Sequence, residues 1–309
     1  MGFKIFKSSD GGAPVLSGTT GSLINLLRKC LVDGYGTKTP ATGWTLEYIN
    51  GTLDIAAFRN SPTLGSGCYL RIDEQTATYA YQAKIDGYET MTGISSGSGN
   101  FSTTTPYCTF NKSTAANTTG RTWYLFVSPT FIHLVVFFGT TANTLPLTTT
   151  LNTVLTVLSF GNFIQHHAQS NPSIIANILS NIGGLLQGFV ALSANLQNAS
   201  SPRNHLSAPN TPTALKNIAA GPVSLSGNAV VGPPYNGLLA LAKFLLHDTS
   251  GIDAYRGVVP GCYCPCHSIG PFVQGEEITI GSKTYVIFYW TWWSSTAYTR
   301  AIAFEYDEL

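Results

Sequence analysis

From Trp44 to Phe138 the chain runs in short apolar or alternating stretches bounded by Gly, Asn, Ser and Pro. That texture predicts β-strands. Trp44–Ile49 ends at Asn50-Gly51, a two-residue hairpin signal, and Leu53–Arg59 reads as the partner strand. Cys68–Asp73 alternates cleanly, and Ala77–Gly87 and Trp123–Val127 continue the theme. Ser128-Pro129-Thr130 reads as a turn into Phe131–Phe138, which is apolar on both faces and so predicts a central strand. Val154–Phe160 reads as another strand. Near the C-terminal end, Glu277–Ile280, Thr284–Trp292 and Thr299–Tyr306 predict a hairpin and a third strand.

Helical spacing is clear in one place. Leu23, Ile24, Leu26, Leu27, Cys30 and Leu31 share one face, with Arg28, Lys29 and Asp33 opposite. Ser22 is the expected N-cap and Gly34 the stop. Ser173–Leu196 also reads as a helix, from its length and few β-branched residues, although Gly183-Gly184 interrupts it. Tyr235–His247 is ambiguous, and Leu238–Ala242 tips it toward helix on propensity. Thr140–Thr150 and Ser200–Thr213 read as loops, Gly221–Val231 as a short strand pair. The expected fold is mainly β, with antiparallel sheets in a sandwich- or barrel-like arrangement and a few helices, one near the N-terminus. Three regions are expected. Residues 1–138 form the helix plus a β-rich domain, 139–213 an uncharged middle with a Pro-rich loop, and 214–309 a β-rich C-terminal region.

Charge changes this picture. Only 10% of the 309 residues are charged, and the formal net charge is +1. Globular chains average about 25%. Sixteen basic residues against fifteen acidic ones leave no basic excess for phosphate neutralisation, so no nucleic acid is expected as a partner. No Asp, Glu, Lys or Arg occurs between Arg121 and Arg203. Ile174–Ala194 is long enough to cross a bilayer. Its amides, paired glycines and unanchored flanks argue for a buried core or a subunit interface instead, so no stable membrane span is expected. The N-terminal residues carry no apolar run of a secretory signal.

Candidate chemistry is sparse. Cys262, Cys264, Cys266 and His267 are zinc-ligand types, but a C-x-C-x-C run places sulfurs about 7 Å apart on one face of a strand. Buried free thiols are the expectation there, with metal binding and disulfides as alternatives. His166-His167 reads as a polar loop, and Gly93–Gly99 as a flexible Gly-rich loop. Asp73-Glu74, Glu276-Glu277 and Glu305 with Asp307 are the carboxylate groupings; neighbours on a strand point to opposite faces, so the two adjacent pairs are not preformed acid–base pairs. Tyr285, Phe288, Tyr289, Trp290, Trp292 and Trp293 suit a core or subunit contact better than a sugar platform. Five Asn-x-Ser/Thr triplets, at Asn50, Asn100, Asn111, Asn117 and Asn198, are expected by chance in so Asn-, Ser- and Thr-rich a chain. No catalytic residue, cofactor site or metal site is assigned.

One resemblance stands beside these readings. Gly12–Gly18, Gly21–Ile24 and Cys30–Gly36 resemble the start of a group of virion structural proteins of tailed bacteriophages. Phe58-Arg59, Tyr69–Asp73, Gly87–Met91, Trp123–Val127 with Thr130-Phe131, and Arg256–Tyr263 are similar to later segments of that group, in the same order. The resemblance covers most of the N-terminal half and a stretch near the C-terminal end. It implies a non-enzymatic structural subunit at the neck, tail or baseplate, located in the virion. Its expected partners are copies of itself and other virion proteins. It also implies that Tyr235–His247 is a strand. Capsid decoration is an alternative location, and a virion-associated carbohydrate-binding or carbohydrate-cleaving protein is the rival reading.

Overall fold

A computed structural model describes residues 2–52, 54–75, 77, 79–101, 108–138, 155–166, 171–179, 199–201, 213–219, 241–248, 255–265, 273–291 and 299–307. Among the described residues the fold is mainly β, with antiparallel sheets and a single short helix, α1 (Ser22–Arg28), that continues as a wider π turn to Asp33. Strands β2 (Thr45–Ile49), β3 (Ile55–Arg59), β4 (Tyr69–Asp73), β5 (Gln82–Gly93) and β6 (Ser96–Asn100) follow one another in a meander, and β7 (Cys108–Asn111) pairs the start of β5.

The second sheet begins with β1 (Lys4–Lys7), β8 (Thr122–Val127), β9 (Phe131–Phe137), β10 (Leu155–Asn162) and β12 (Ser173–Leu179). It continues through β13 (Ala199–Ser201), β14 (Thr213–Ala219) and β15 (Leu241–Asp248) to β16 (Tyr255–Pro265), β19 (Thr299–Tyr306), β18 (Lys283–Thr291) and β17 (Glu276–Ile280). The two-residue β11 (Ile164–Gln165) adds to β16.

The packing sorts these strands into three layers. Trp123, Leu125, Val127, Ile132, Leu134, Val136, Leu158, Phe160 and Ile175 join α1 and the inner face of the first sheet in one core. The alternate residues Phe126, Phe131, Val135, Phe137, Leu155, Val157 and Ile174 join Phe244, Val259, Cys262, Val286, Phe288, Ile302 and Phe304 in a second core. The second sheet therefore folds back on itself: its first strands are the middle layer, and β15–β19 cover them. A strand buried on both faces has no solvated side for a charge, since an unpaired buried charge is costly. Every described residue of β9 and β10 is buried. That is the physical reason for the absence of charge along these strands.

Several expectations need correction. Ser173–Leu179 is a strand paired with β10, so the helix predicted over Ser173–Leu196 does not start there; 180–196 lies outside the described residues. Leu241–Asp248 is also a strand, against the helical propensity of Tyr235–His247 and as the resemblance implied; 235–240 lies outside the described residues. Propensity loses in both places to pairing with a neighbouring strand. Gly93–Gly99 is the tip and returning strand of a hairpin, not a free loop. The β2–β3 turn spans Asn50–Asp54, because Asn50 Oδ1 accepts the backbone N–H groups of Asp54 and Ile55 at 3.0 Å and closes a wider loop. Ser22 does not cap α1. Gly21 holds that position at φ 82°, while Ser22 Oγ donates back to the Ser17 and Thr19 carbonyls. The loop predicted over Ser200–Thr213 is strand at both described ends, Ser200 and Ser201 in β13 and Thr213 in β14, because these residues pair with each other and with neighbouring strands; 202–212, the loop predicted at 140–150 and the strand pair at 221–231 lie outside the described residues.

Candidate functional site

A groove of about 520 Å3 lies at the junction of the sheets. Its walls come from the β3–β4 loop (Leu64, Gly65, Ser66), the start of β9 (Thr130), the end of β10 (Asn162 to Ile164) and the residues leading into β12 (Asn171, Pro172). Asn162 is the centre of its floor. Its Oδ1 accepts from Asn60 Nδ2 at 3.0 Å and from the Ser66 N–H at 2.9 Å, and its Nδ2 donates to Ser66 Oγ at 2.8 Å and Ser173 Oγ at 3.3 Å. A primary amide has two donors and two acceptor lone pairs, so Asn162 is saturated within the chain.

Asn171 holds a left-handed backbone at φ 73°, a conformation that asparagine tolerates. Its side-chain Oδ1 accepts the Ser173 N–H at 3.1 Å, and its Nδ2 donates to Glu89 at 2.8 Å. A side chain at Gly65 would run into Asn162 Oδ1 and the Thr130 methyl, so only glycine lets the loop lie this close. Leu64 and Ile164 stand exposed on the rim. None of the nine lining residues is ionisable. The groove is rigid, neutral and partly apolar, and its chemistry suits contact rather than proton transfer.

The ionisable groups singled out in the sequence are held elsewhere, in separate places. Asp73 and Asp86 flank Arg71, at 2.9 and 3.0 Å. Glu74 accepts the N–H groups of Gly21, Leu23 and Ile24 and pairs with the fully buried Lys112, whose ammonium also donates to Thr19 O at 2.7 Å. Burial pushes the Glu74 carboxyl up and the Lys112 ammonium down, and their mutual attraction opposes both shifts. Glu277 bonds Lys7 and the Tyr306 hydroxyl, and Glu276 accepts the Val273 N–H. Glu305 and Asp307 share Lys283, with Tyr263 donating to Glu305 at 2.7 Å. Thus Asp73 and Glu74 diverge, as strand geometry dictates, and so do Glu276 and Glu277.

Cys262 and Cys264 are buried in the second core, and burial pushes the Cys262 thiol well above its usual range. Cys266, His267 and His167 lie outside the described residues; His166 is exposed, its N–H on the Arg256 carbonyl at 3.0 Å. Among the described residues no group of three His, Cys, Asp or Glu side chains gathers as a metal site, and no helix is long and apolar enough to cross a membrane. Of the aromatic group, Phe288 is buried in the second core and Tyr285 stands edge-on to Tyr263; the side chains from Tyr289 to Trp293 lie outside the description.

Two residues that the sequence reading passed over matter most. Lys112 shows no signal beyond being one of few lysines. His133 does show one, since it is the sole polar residue in the apolar run Phe131–Phe138. Its Nδ1 lies 2.7 Å from Ser159 Oγ and its Nε2 2.8 Å from the Pro260 carbonyl. No protein-family model matches the chain, and no curated protein matches it.

Proposed function

We propose that this chain is a non-enzymatic structural subunit of a tailed-phage particle, at the neck, tail or baseplate, acting as a symmetric oligomer. The observation that carries the reading is how the chain spends its few ionisable groups. Glu74 with Lys112 pins the helix to the first sheet, Lys7 with Glu277 joins β1 to β17, and Lys283 gathers Glu305 and Asp307. These are ties that stiffen a scaffold. The phage-like segments support the same reading, because Phe58-Arg59, Tyr69–Asp73, Trp123–Val127 and Arg256–Tyr263 supply strands of all three layers. Low charge supports self-association, since little net charge opposes contact between copies.

The test has two parts. Mass spectrometry of purified particles is expected to find the protein at a fixed stoichiometry, and native mass of the isolated protein to give a ring-sized assembly. Presence in infected-cell lysate but never in purified particles overturns the proposal. Glycan-array binding or release of sugar from a polysaccharide would instead favour the carbohydrate reading.

A further inference from the structure

We infer that His133 is an acid-sensitive latch between the middle and outer layers, and that its protonation releases β15–β19 from the face of β8–β10. The Pro260 carbonyl can only accept, so Nε2 carries the proton, and Nδ1 is left to accept from the Ser159 hydroxyl. The ring is neutral, and one of its two bonds crosses from β9 to β16. Around it stand Phe3, Phe131 and Phe304, with ring centres 5.6, 4.8 and 4.7 Å away. His133 is 0% exposed.

A second proton would have to go to Nδ1. It would cancel the acceptor that Ser159 uses and leave a cation among three phenyl rings. The titratable groups in the same core are Tyr124, Tyr306, Cys262 and Cys264, all uncharged in acid. The described charged side chains on the strands packed around it are Lys4 and Lys7 on β1, Arg256 on β16 and Glu305 on β19. Glu305 is bound to Tyr263 and Lys283, and Lys7 to Glu277. Both ring nitrogens are already occupied, so no carboxylate is bonded to the ring to hold an imidazolium.

Burial accordingly holds the His133 pKa down at about 3, from an ordinary 6.5, against the weaker opposite pull of the Pro260 carbonyl. A group whose native pKa is depressed binds its proton only when opened. From pH 6.5 down to about 3 the opened state therefore gains about tenfold in population per pH unit. The ion pair of Lys7 with Glu277, which joins the middle layer to β17, yields later. Burial pushes Glu277 up, but hydrogen bonds from Lys7 and Tyr306 outweigh it and hold the carboxyl below 4.5.

Hydrogen–deuterium exchange of the full chain between pH 7.5 and 4.5, corrected for intrinsic exchange rates, tests the latch. Peptides from 255–265 and 299–306 are expected to lose protection about tenfold per pH unit below 6.5, while peptides from 45–59 and 69–93 keep theirs. His133→Gln, which can donate to Pro260 and accept from Ser159 without titrating, should flatten that response. Should this variant not fold, Ser159→Ala keeps the imidazole and removes the partner that favours its neutral form, so the native pKa rises toward 6.5 and the response should start at the same pH but level off sooner, with a smaller total change between pH 6.5 and 4.5. A flat response in the parent protein, an equal response in His133→Gln, a response in Ser159→Ala as large as the parent's, or simultaneous loss in both sets of peptides would each overturn the proposal.

Discussion

At the scale of single residues, the most consequential pair is Glu74 with Lys112. The carboxylate does the work of an N-cap from 50 residues away in sequence, taking the Leu23 and Ile24 N–H groups at 3.1 and 3.0 Å. An anion is favoured there by the unpaired amides that open a helix. Lys112 balances the charge with no exposed surface. Removing one member leaves the other charged, buried and short of a partner, which costs about 3–5 kcal/mol. Urea denaturation of Glu74→Gln should show a loss of that size, and Lys112→Met added to it should recover part of the loss. Equal stability of Glu74→Gln and the parent would remove the pair from the account. This pair was not legible in the sequence. Ser22 is the local cap that spacing suggests, and nothing along the chain announces that a distant carboxylate displaces it.

At the scale of elements, β9 shows what sequence pattern reads well. Phe131–Phe138 looked central because neither of its faces is polar, and β9 does lie between β8 and β10. The three-layer packing adds that Leu134 faces the first core and Val135 the second. Leu134→Lys and Val135→Lys should therefore each destabilise the fold by more than about 4 kcal/mol, whereas a strand with one wet face would tolerate one of them. Thermal unfolding of both, beside Glu47→Lys on the exposed side of β2, measures the difference. Tolerance of either core lysine would contradict two-sided burial. The helical reading failed at β12, and at β15 the pattern was ambiguous and propensity pointed the wrong way. Ser173–Leu179 and Leu241–Asp248 contain helix-favouring Ala, Leu and Lys, yet both become strands because β10 and β16 present edges that need partners. That information is non-local.

At the scale of the whole molecule, strand content and the burial of the uncharged middle strands were legible, because alternation and missing charge are properties of the chain itself. The groove around Asn162 was not, since Asn60, Ser66, Asn162 and Ser173 meet only when separate loops converge. The folding back of the second sheet carries a further consequence, in time rather than in space. Phe3 accepts the Asp307 N–H at 2.9 Å, and Lys4 stands in register with Val127. Such contacts close very long loops, so their entropy must be lost before any layer rewards it. Refolding from urea should take seconds or longer and pass through a state that exposes the apolar outer face of the middle layer. A dye that lights up on exposed apolar surface should brighten and then fade during that interval. The same exposed face makes the half-built chain prone to aggregate, so its yield on synthesis should fall steeply as concentration rises.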